Sequence, residues 1–245
     1  MVKEPIPAVL VIQEIWGPDE HIQDVADRVA TAGYVALAPD LYSRGGRPQA
    51  LAPERIAEFK AFMDTVPPAT WHDASALERS LATRPTDEAQ RIQETQRRLF
   101  GPRDTDGMVR DLKAWIDYLE AFSGSRGQAV GSTGYCMGGA LSFQLALVES
   151  RLKVALVYYG SAPDSDRLGE VKCPVYGFYG ADDPRITDAV PAVESKMKAL
   201  GKTFEATVYS GAGHAFFNDS RASYHISAAR DAWAKTMTRF NQHLA

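Results

Sequence analysis

Short, mainly apolar runs alternate with longer segments of helical periodicity along most of this 245-residue chain. Runs of this length that are bounded by turn-forming residues are typical of strands buried on both faces of a sheet. The runs are AVLVIQ (8–13), YVALAPD (34–40), QAVGSTGY (128–135), KVALVYYG (153–160), CPVYGFYG (173–180) and FEATVYS (204–210). Their alternation with helices predicts an α/β fold, with a mostly parallel central sheet and helices on both faces.

Several segments between these runs place apolar residues at the 3.6-residue spacing of a helix. An early helix is predicted to carry on one face Ile22, Val25, Ala26, Val29 and Ala30, ending before Gly33. Another begins near Asp104 and carries Met108, Leu112, Trp115, Ile116 and Leu119. A closing helix carries Ile226, Ala229, Trp233 and Phe240.

The stretch 43–104 departs from this rhythm. It is polar and includes TVPPATWHD (65–73) and LERSLATRPTDEAQRIQETQRRLF (77–100), which predict a helical insertion. The insertion either crosses the mouth of a site or is a solvated decoration. Because we find no repeat, low-complexity tract or linker-like composition, we expect residues 1–245 to form a single domain.

Charge and cysteine content limit the possible functions. The formal net charge is −4, the pI is near 5.8 and the basic residues are scattered, which argues against binding to nucleic acid. The first apolar stretch is too short for a membrane span, so we expect a cytoplasmic protein. We expect either a monomer or a homodimer. Cys136 and Cys173 form no CxxC pair or metal-ligand spacing, which predicts two free thiols and no metal site.

Cys136 occupies a position typical of a nucleophile. It follows an apolar run and has glycines two residues before and two residues after it, Gly134 and Gly138. A tight strand-to-helix turn needs such small neighbours, and it would place the thiol at a helix N-terminus that favours a thiolate. The alternative is an inert cysteine buried in a glycine-rich turn. The flanking glycines and the preceding strand favour the nucleophile.

A nucleophile of this kind requires a base and a group that orients the base. His214 follows the last predicted strand, whereas the other histidines, His21, His72, His225 and His243, fall in predicted helices or in the polar insertion. Asp182 and Asp183 follow another strand, and either carboxylate could hold the imidazole, the other being a turn or cap residue. The chain order is nucleophile, acid, histidine.

Five motifs resemble those of the dienelactone hydrolase family of α/β-hydrolases. They are QEIWG (13–17), GYVALAPDLY (33–42), GYCMGGA (134–140), YGADDP (179–184) and GAGHAF (211–216). They occur in order over nearly the whole chain. The resemblance implies an α/β-hydrolase fold with a cysteine at the position where most relatives of the fold carry serine.

The resemblance also implies roles for individual residues. The triad would be Cys136, Asp183 and His214, the backbone N–H groups of Ile15 and Met137 would form the oxyanion hole, and Glu14 would lie beside the cysteine and help to activate it. Without the resemblance, Glu14 is equally well explained as an ordinary carboxylate at a strand end. We also expect Trp16 and Asn218 to contact the substrate.

One position departs from the family pattern. Dienelactone hydrolases carry an arginine four residues after the catalytic histidine, which pairs with the glutamate and helps to hold the substrate carboxylate, and this chain has Asn218 there. The departure puts the dienelactone substrate itself in question. Arg84 or Arg103 from the insertion is a candidate replacement.

The predicted function is hydrolysis of a small ester or lactone through a thioester on Cys136, without a metal or organic cofactor. Alternatives are a broader carboxylesterase or thioesterase, and a ligand-binding homologue that has lost turnover. A thiol redox protein would normally need a resolving cysteine close to the first, and the chain offers only Cys173, near the start of another strand.

Overall fold

The computed structural model describes residues 4–67 and 73–245. The chain divides into two compact units, one formed by the residues up to Asp40 together with Thr105–Ala245, the other by Leu41–Asp104. The single domain expected from the sequence stays a prediction. His72 and the neighbouring part of the insertion, 68–72, lie outside the described residues.

The larger unit contains a six-stranded sheet in the order β2-β1-β3-β4-β5-β6. All five strand pairs are parallel, which confirms the predicted sheet. The strands are β1 (Ala8–Ile12), β2 (Val35–Leu37), β3 (Val130–Tyr135), β4 (Leu152–Tyr158), β5 (Val175–Gly180) and β6 (Phe204–Tyr209). Each falls within a run identified in the sequence, except that β4 begins one residue earlier.

Helices connect these strands and cover the sheet. In the larger unit they are α1 (Glu20–Thr31), α5 (Thr105–Ala121), α6 (Met137–Val148), α7 (Pro184–Thr187), α8 (Val190–Ala199) and α9 (Ile226–Leu244). The smaller unit is helical, as predicted for the insertion, and contains α2 (Pro53–Asp64), α3 (Ala74–Leu81) and α4 (Thr86–Phe100). Short 3₁₀ helices lie at Gln49–Leu51 and Ser165–Glu170.

The main core of the larger unit lies between the sheet, α1 and α9. Val9 and Val11 of β1 pack in one buried cluster with Ile22 of α1 and Phe240 of α9. Successive residues of a strand point to opposite faces, and every residue of β1 is buried. This strand of the sheet is therefore covered on both sides, as its apolar run indicates.

Three residues placed on the predicted helix faces are exposed instead: Ala30 near the end of α1, Trp115 of α5 and Ile226 of α9. Trp115 is 37% exposed, because the buried stripe of α5 runs through Leu112, Ile116 and Leu119, and the indole instead packs edge-on against Tyr118. Ile226 is 56% exposed as the first residue of α9. The periodicity of the sequence identified these three helices, but it did not show which residues at the edge of each apolar stripe are buried.

Candidate active site

Cys136 lies in a sharp turn between β3 and α6. Its backbone has φ 54° and ψ −114°, a region that non-glycine residues rarely occupy. A Cβ on Gly134 would lie 1.9 Å from the carbonyl oxygen of Gly138, and a Cβ on Gly138 would lie 2.2 Å from the carbonyl oxygen of Ile12. The turn therefore closes only with glycine at both positions, as the sequence indicated.

The same turn fixes the surroundings of the thiol. Cys136 is half-buried, and its backbone N–H donates to the carbonyl of Tyr158 (3.0 Å). The next residue in the chain, Met137, is the first residue of α6. The positive end of a helix dipole favours a thiolate and an oxyanion at this place. Ile15 is buried in the loop after β1. The oxyanion hole formed by Ile15 and Met137 stays a prediction.

The structure brings His214 and Asp183 together. Nδ1 of His214 and Oδ2 of Asp183 are 2.6 Å apart, and Asp183 is only 3% exposed. Nδ1 therefore carries the proton that it donates to the carboxylate, which leaves Nε2 for a reacting group. The neighbouring Asp182 is exposed. Of the two candidate carboxylates, Asp183 is the one that contacts the imidazole.

The imidazole of His214 also interacts with Cys136. Burial lowers the pKa of His214, but hydrogen bonds to Asp183 and Cys136 and the negative charges of both residues outweigh burial and raise the pKa from 6.5 to about 10. The His214 side chain is 32% exposed and remains open to solvent. The imidazole of His214 therefore interacts with both Asp183 and Cys136, and the catalytic roles of the three residues stay a prediction.

Glu14 lies two residues beyond β1 and is 1% exposed. Its Oε1 accepts a hydrogen bond from the hydroxyl of Tyr159 and its Oε2 accepts one from Nδ2 of Asn218, both at 3.0 Å. Both donors are neutral. At the position where the family pattern has an arginine, this chain holds the carboxylate with an amide.

The remaining candidate residues, Trp16, Arg84 and Arg103, have contacts with neighbouring side chains or backbone groups. Arg221, on the same loop as Asn218, has its guanidinium 5.4 Å from the centre of the Trp16 ring. Arg84 pairs with Glu88 at 3.1 Å, and Arg103 donates to the carbonyl of Leu99. The substrate contacts of Trp16 and Asn218, and the substitution of Arg84 or Arg103 for the missing arginine, stay predictions.

Sequence reasoning missed Tyr159. It is the first residue after β4, so it follows the same rule that pointed to Cys136 and Asp183, since the carboxyl ends of parallel strands meet at one edge. The second tyrosine of KVALVYYG looks like one more buried strand residue. Its distinguishing feature is a φ of 41°, which a sequence does not reveal.

Both cysteines are free thiols, as predicted. Within residues 4–67 and 73–245, no group of three or more His, Cys, Asp or Glu side chains is arranged to hold a metal ion. The expectation that catalysis needs no metal or organic cofactor stays a prediction. Across the same residues, no helix combines the length and apolar character needed to cross a membrane.

The parallel sheet and the strand-to-helix turn at Cys136 define an α/β-hydrolase fold. The sequence profile of the Dienelactone hydrolase family matches residues 1–244. This chain belongs to that family, and it is accordingly an ester or lactone hydrolase acting on a small molecule.

Individual relatives agree with this assignment. The chain is 34% identical to a protein of Saccharolobus solfataricus named "Putative carboxymethylenebutenolidase", over 95% of this chain and 88% of the relative. It is 30% identical to a protein of the same name from Methylorubrum extorquens, over 98% and 73%. A solved structure described as "Putative Dienelactone Hydrolase" from Klebsiella pneumoniae has a TM-score of 0.72 and 30% identity, over 99% and 90%.

Proposed function

We propose that this protein hydrolyses a small ester or lactone with Cys136 as nucleophile, His214 as general base and acid, and Asp183 as the group that orients the imidazole. One observation carries the proposal. A single imidazole bonds the buried Asp183 through Nδ1 and interacts with Cys136, the residue in the glycine-flanked turn. Nucleophile, base and orienting acid are the three parts that such catalysis requires.

In acylation, Nε2 of His214 holds the proton of the Cys136 thiol while Sγ attacks the carbonyl carbon. The oxyanion of the tetrahedral intermediate is stabilised by the N–H groups of Ile15 and Met137 and by the dipole of α6. When the intermediate collapses, the C–O bond breaks and the leaving alkoxide takes the proton back from His214. With a lactone, this alcohol stays attached to the acyl group.

Deacylation uses the same groups on water. His214 removes a proton from a water molecule that attacks the thioester carbonyl, and the proton then returns to the departing sulfur. The products are a carboxylic acid and free Cys136, so atoms and charge balance over the cycle.

Trapping the acyl-enzyme tests the proposal. During turnover of a short-chain p-nitrophenyl ester or a five-membered lactone, acid quenching and peptide mass spectrometry should find the acyl group on the Cys136 peptide. Neutral hydroxylamine should remove it, as expected for a thioester. An acyl group on another residue would contradict the proposed nucleophile.

A further inference from the structure

Glu14 is a buried carboxylate that the proposed triad does not use. Ile12 pairs with Gly134 across the sheet, and a Cβ on Gly138 would lie 2.5 Å from the carbonyl oxygen of Gln13. The chain leading into Glu14 therefore runs directly against the turn that carries Cys136. A negative charge beside a thiol disfavours the thiolate, whereas a negative charge near His214 favours its imidazolium.

Tyr159 connects this carboxylate to the triad. Its hydroxyl donates to Oε1 of Glu14, and the centre of its ring is 5.2 Å from that of the His214 imidazole, in an edge contact. Burial, followed by the negative charge of Glu14, holds the pKa of Tyr159 well above 10. The phenol therefore keeps its proton and acts as a permanent donor.

The backbone fixes Tyr159 in this place. It has a φ of 41°, and the following Gly160 is so close to α6 that a Cβ there would lie 2.3 Å from the backbone nitrogen of Ala140. A side chain on Gly160 would push β4 away from the first turn of α6. The contact ties the position of Tyr159 to the helix that begins immediately after Cys136.

Asn218 holds the other oxygen of Glu14, and its own orientation is fixed. Its Oδ1 accepts from the backbone N–H of Ser220 (3.1 Å) and from the Ser220 hydroxyl (2.6 Å), while Nδ2 donates to Glu14. Asp219 between them pairs with Arg28 of α1 at 2.6 Å. Flipping the amide would break three hydrogen bonds and turn an acceptor toward the carboxylate.

We propose that Tyr159, Asn218 and Ser220 are positioning residues that hold the carboxylate of Glu14 in place beside Cys136. In the resting enzyme this charge restrains the thiol, and during acylation it stabilises the imidazolium of His214. The inference rests on the proposed function for its role in turnover. Its effect on the thiol holds without any substrate.

The test compares two adjacent tyrosines. Tyr159→Phe keeps the ring on His214 and deletes only the donor to Glu14, whereas Tyr158→Phe deletes an equally buried hydroxyl that bonds Thr236 at 2.6 Å. Two quantities are measured for each variant. The first is the rate at which iodoacetamide alkylates Cys136, followed by peptide mass spectrometry as a function of pH. The second is the steady-state rate of ester hydrolysis. Tyr159→Phe should alkylate about tenfold faster at pH 7, since a hydrogen bond to a charged group is lost. Its kcat should fall by a similar factor with KM unchanged.

Tyr158→Phe should stay within about twofold of the wild type in both measurements, even if its stability falls. A double-mutant cycle separates positioning from a general structural effect. In a Glu14→Gln background, which should itself alkylate faster and hydrolyse more slowly, Tyr159→Phe should have no further effect on alkylation. Equal behaviour of the two tyrosine variants, or an undiminished effect in the Glu14→Gln background, would overturn the inference.

Ser220→Ala gives an independent test that stands if Tyr159→Phe fails to fold. It removes one of two bonds to Oδ1 of Asn218 and should raise the alkylation rate about two- to threefold. A rate equal to the wild type would overturn the inference. Because alkylation is measured without substrate, failure of Cys136 as the catalytic nucleophile would appear only in the hydrolysis data.

Discussion

The two edges of the central sheet each carry a cysteine, and the two thiols lie in different surroundings. Cys136 follows the carboxyl end of β3, starts α6 and faces His214. Cys173 lies two residues before β5, at the amino edge, where burial raises the pKa of its thiol from 9.0 to about 12. We therefore expect strand direction to decide which thiol is reactive, because parallel strands deliver polar groups and helix N-termini to one edge only.

The largest expected difference between the two edges is in hydrolysis. Cys136→Ala should abolish turnover of every ester that the wild type accepts, and Cys136→Ser should cause a large loss because an alkoxide forms less readily than a thiolate. Cys173→Ala should leave the rate within a few-fold. Steady-state kinetics on an ester and lactone panel measure all three variants. Full activity in Cys136→Ala would refute the contrast.

The next largest effect distinguishes two neighbouring carboxylates at the carboxyl edge. Asp183→Asn should reduce turnover about 10³- to 10⁴-fold with the fold intact, because the amide no longer holds the correct imidazole tautomer. Asp182→Asn, an exposed neighbour, should cost far less. Circular dichroism checks the fold and kcat gives the ranking. The reverse ranking would show that Asp182 orients His214.

The smallest expected effect is on the free energy of unfolding. The residues at the two edges should change it over different pH ranges. The pKa of His214 is raised from 6.5 to about 10, so the folded protein binds the extra proton in this range. The contribution of protonated His214 to the stability of the folded protein is fully present below pH 6.5 and is lost as the pH rises through about 10. For Cys173 the raised pKa predicts a loss of stability between pH 9 and about 12.

Urea unfolding at several pH values separates these contributions. His214→Gln should flatten the decline of the unfolding free energy between pH 6.5 and 10. Cys173→Ala should flatten the decline only above pH 9. If the two variants flattened the same window, the thiol and the imidazole would not titrate independently and the contrast between the edges would fail.

The sequence predicted the sheet well because buried parallel strands are nearly continuous apolar runs, and the strands of the larger unit lie in such runs except for the first residue of β4. It predicted Cys136 and His214 because a nucleophile turn and a strand-end histidine leave local patterns. It could not choose between Asp182 and Asp183, since the choice depends on which carboxylate α7 leaves buried against the imidazole. Family spacing made that choice, and the contact agrees with it.

Other features depend on tertiary structure that no local pattern encodes. Tyr159 looks like a core residue until its backbone conformation turns it toward Glu14. The amide of Asn218 could face either way in a sequence, and the bonds from Ser220 settle its orientation. Such assignments need the relative placement of segments that are far apart in the chain.

The close contacts of the turn at Cys136 have a consequence for protein engineering. At Gly134, Gly138 and Gly160 any side chain would clash with backbone atoms, so we expect no other residue to be accepted there. Ser220 bonds Oδ1 of Asn218, so we expect its replacement to cost hydrogen bonds rather than to create a clash. A library aimed at tuning the reactivity of this enzyme should therefore leave the glycines fixed and begin at Ser220.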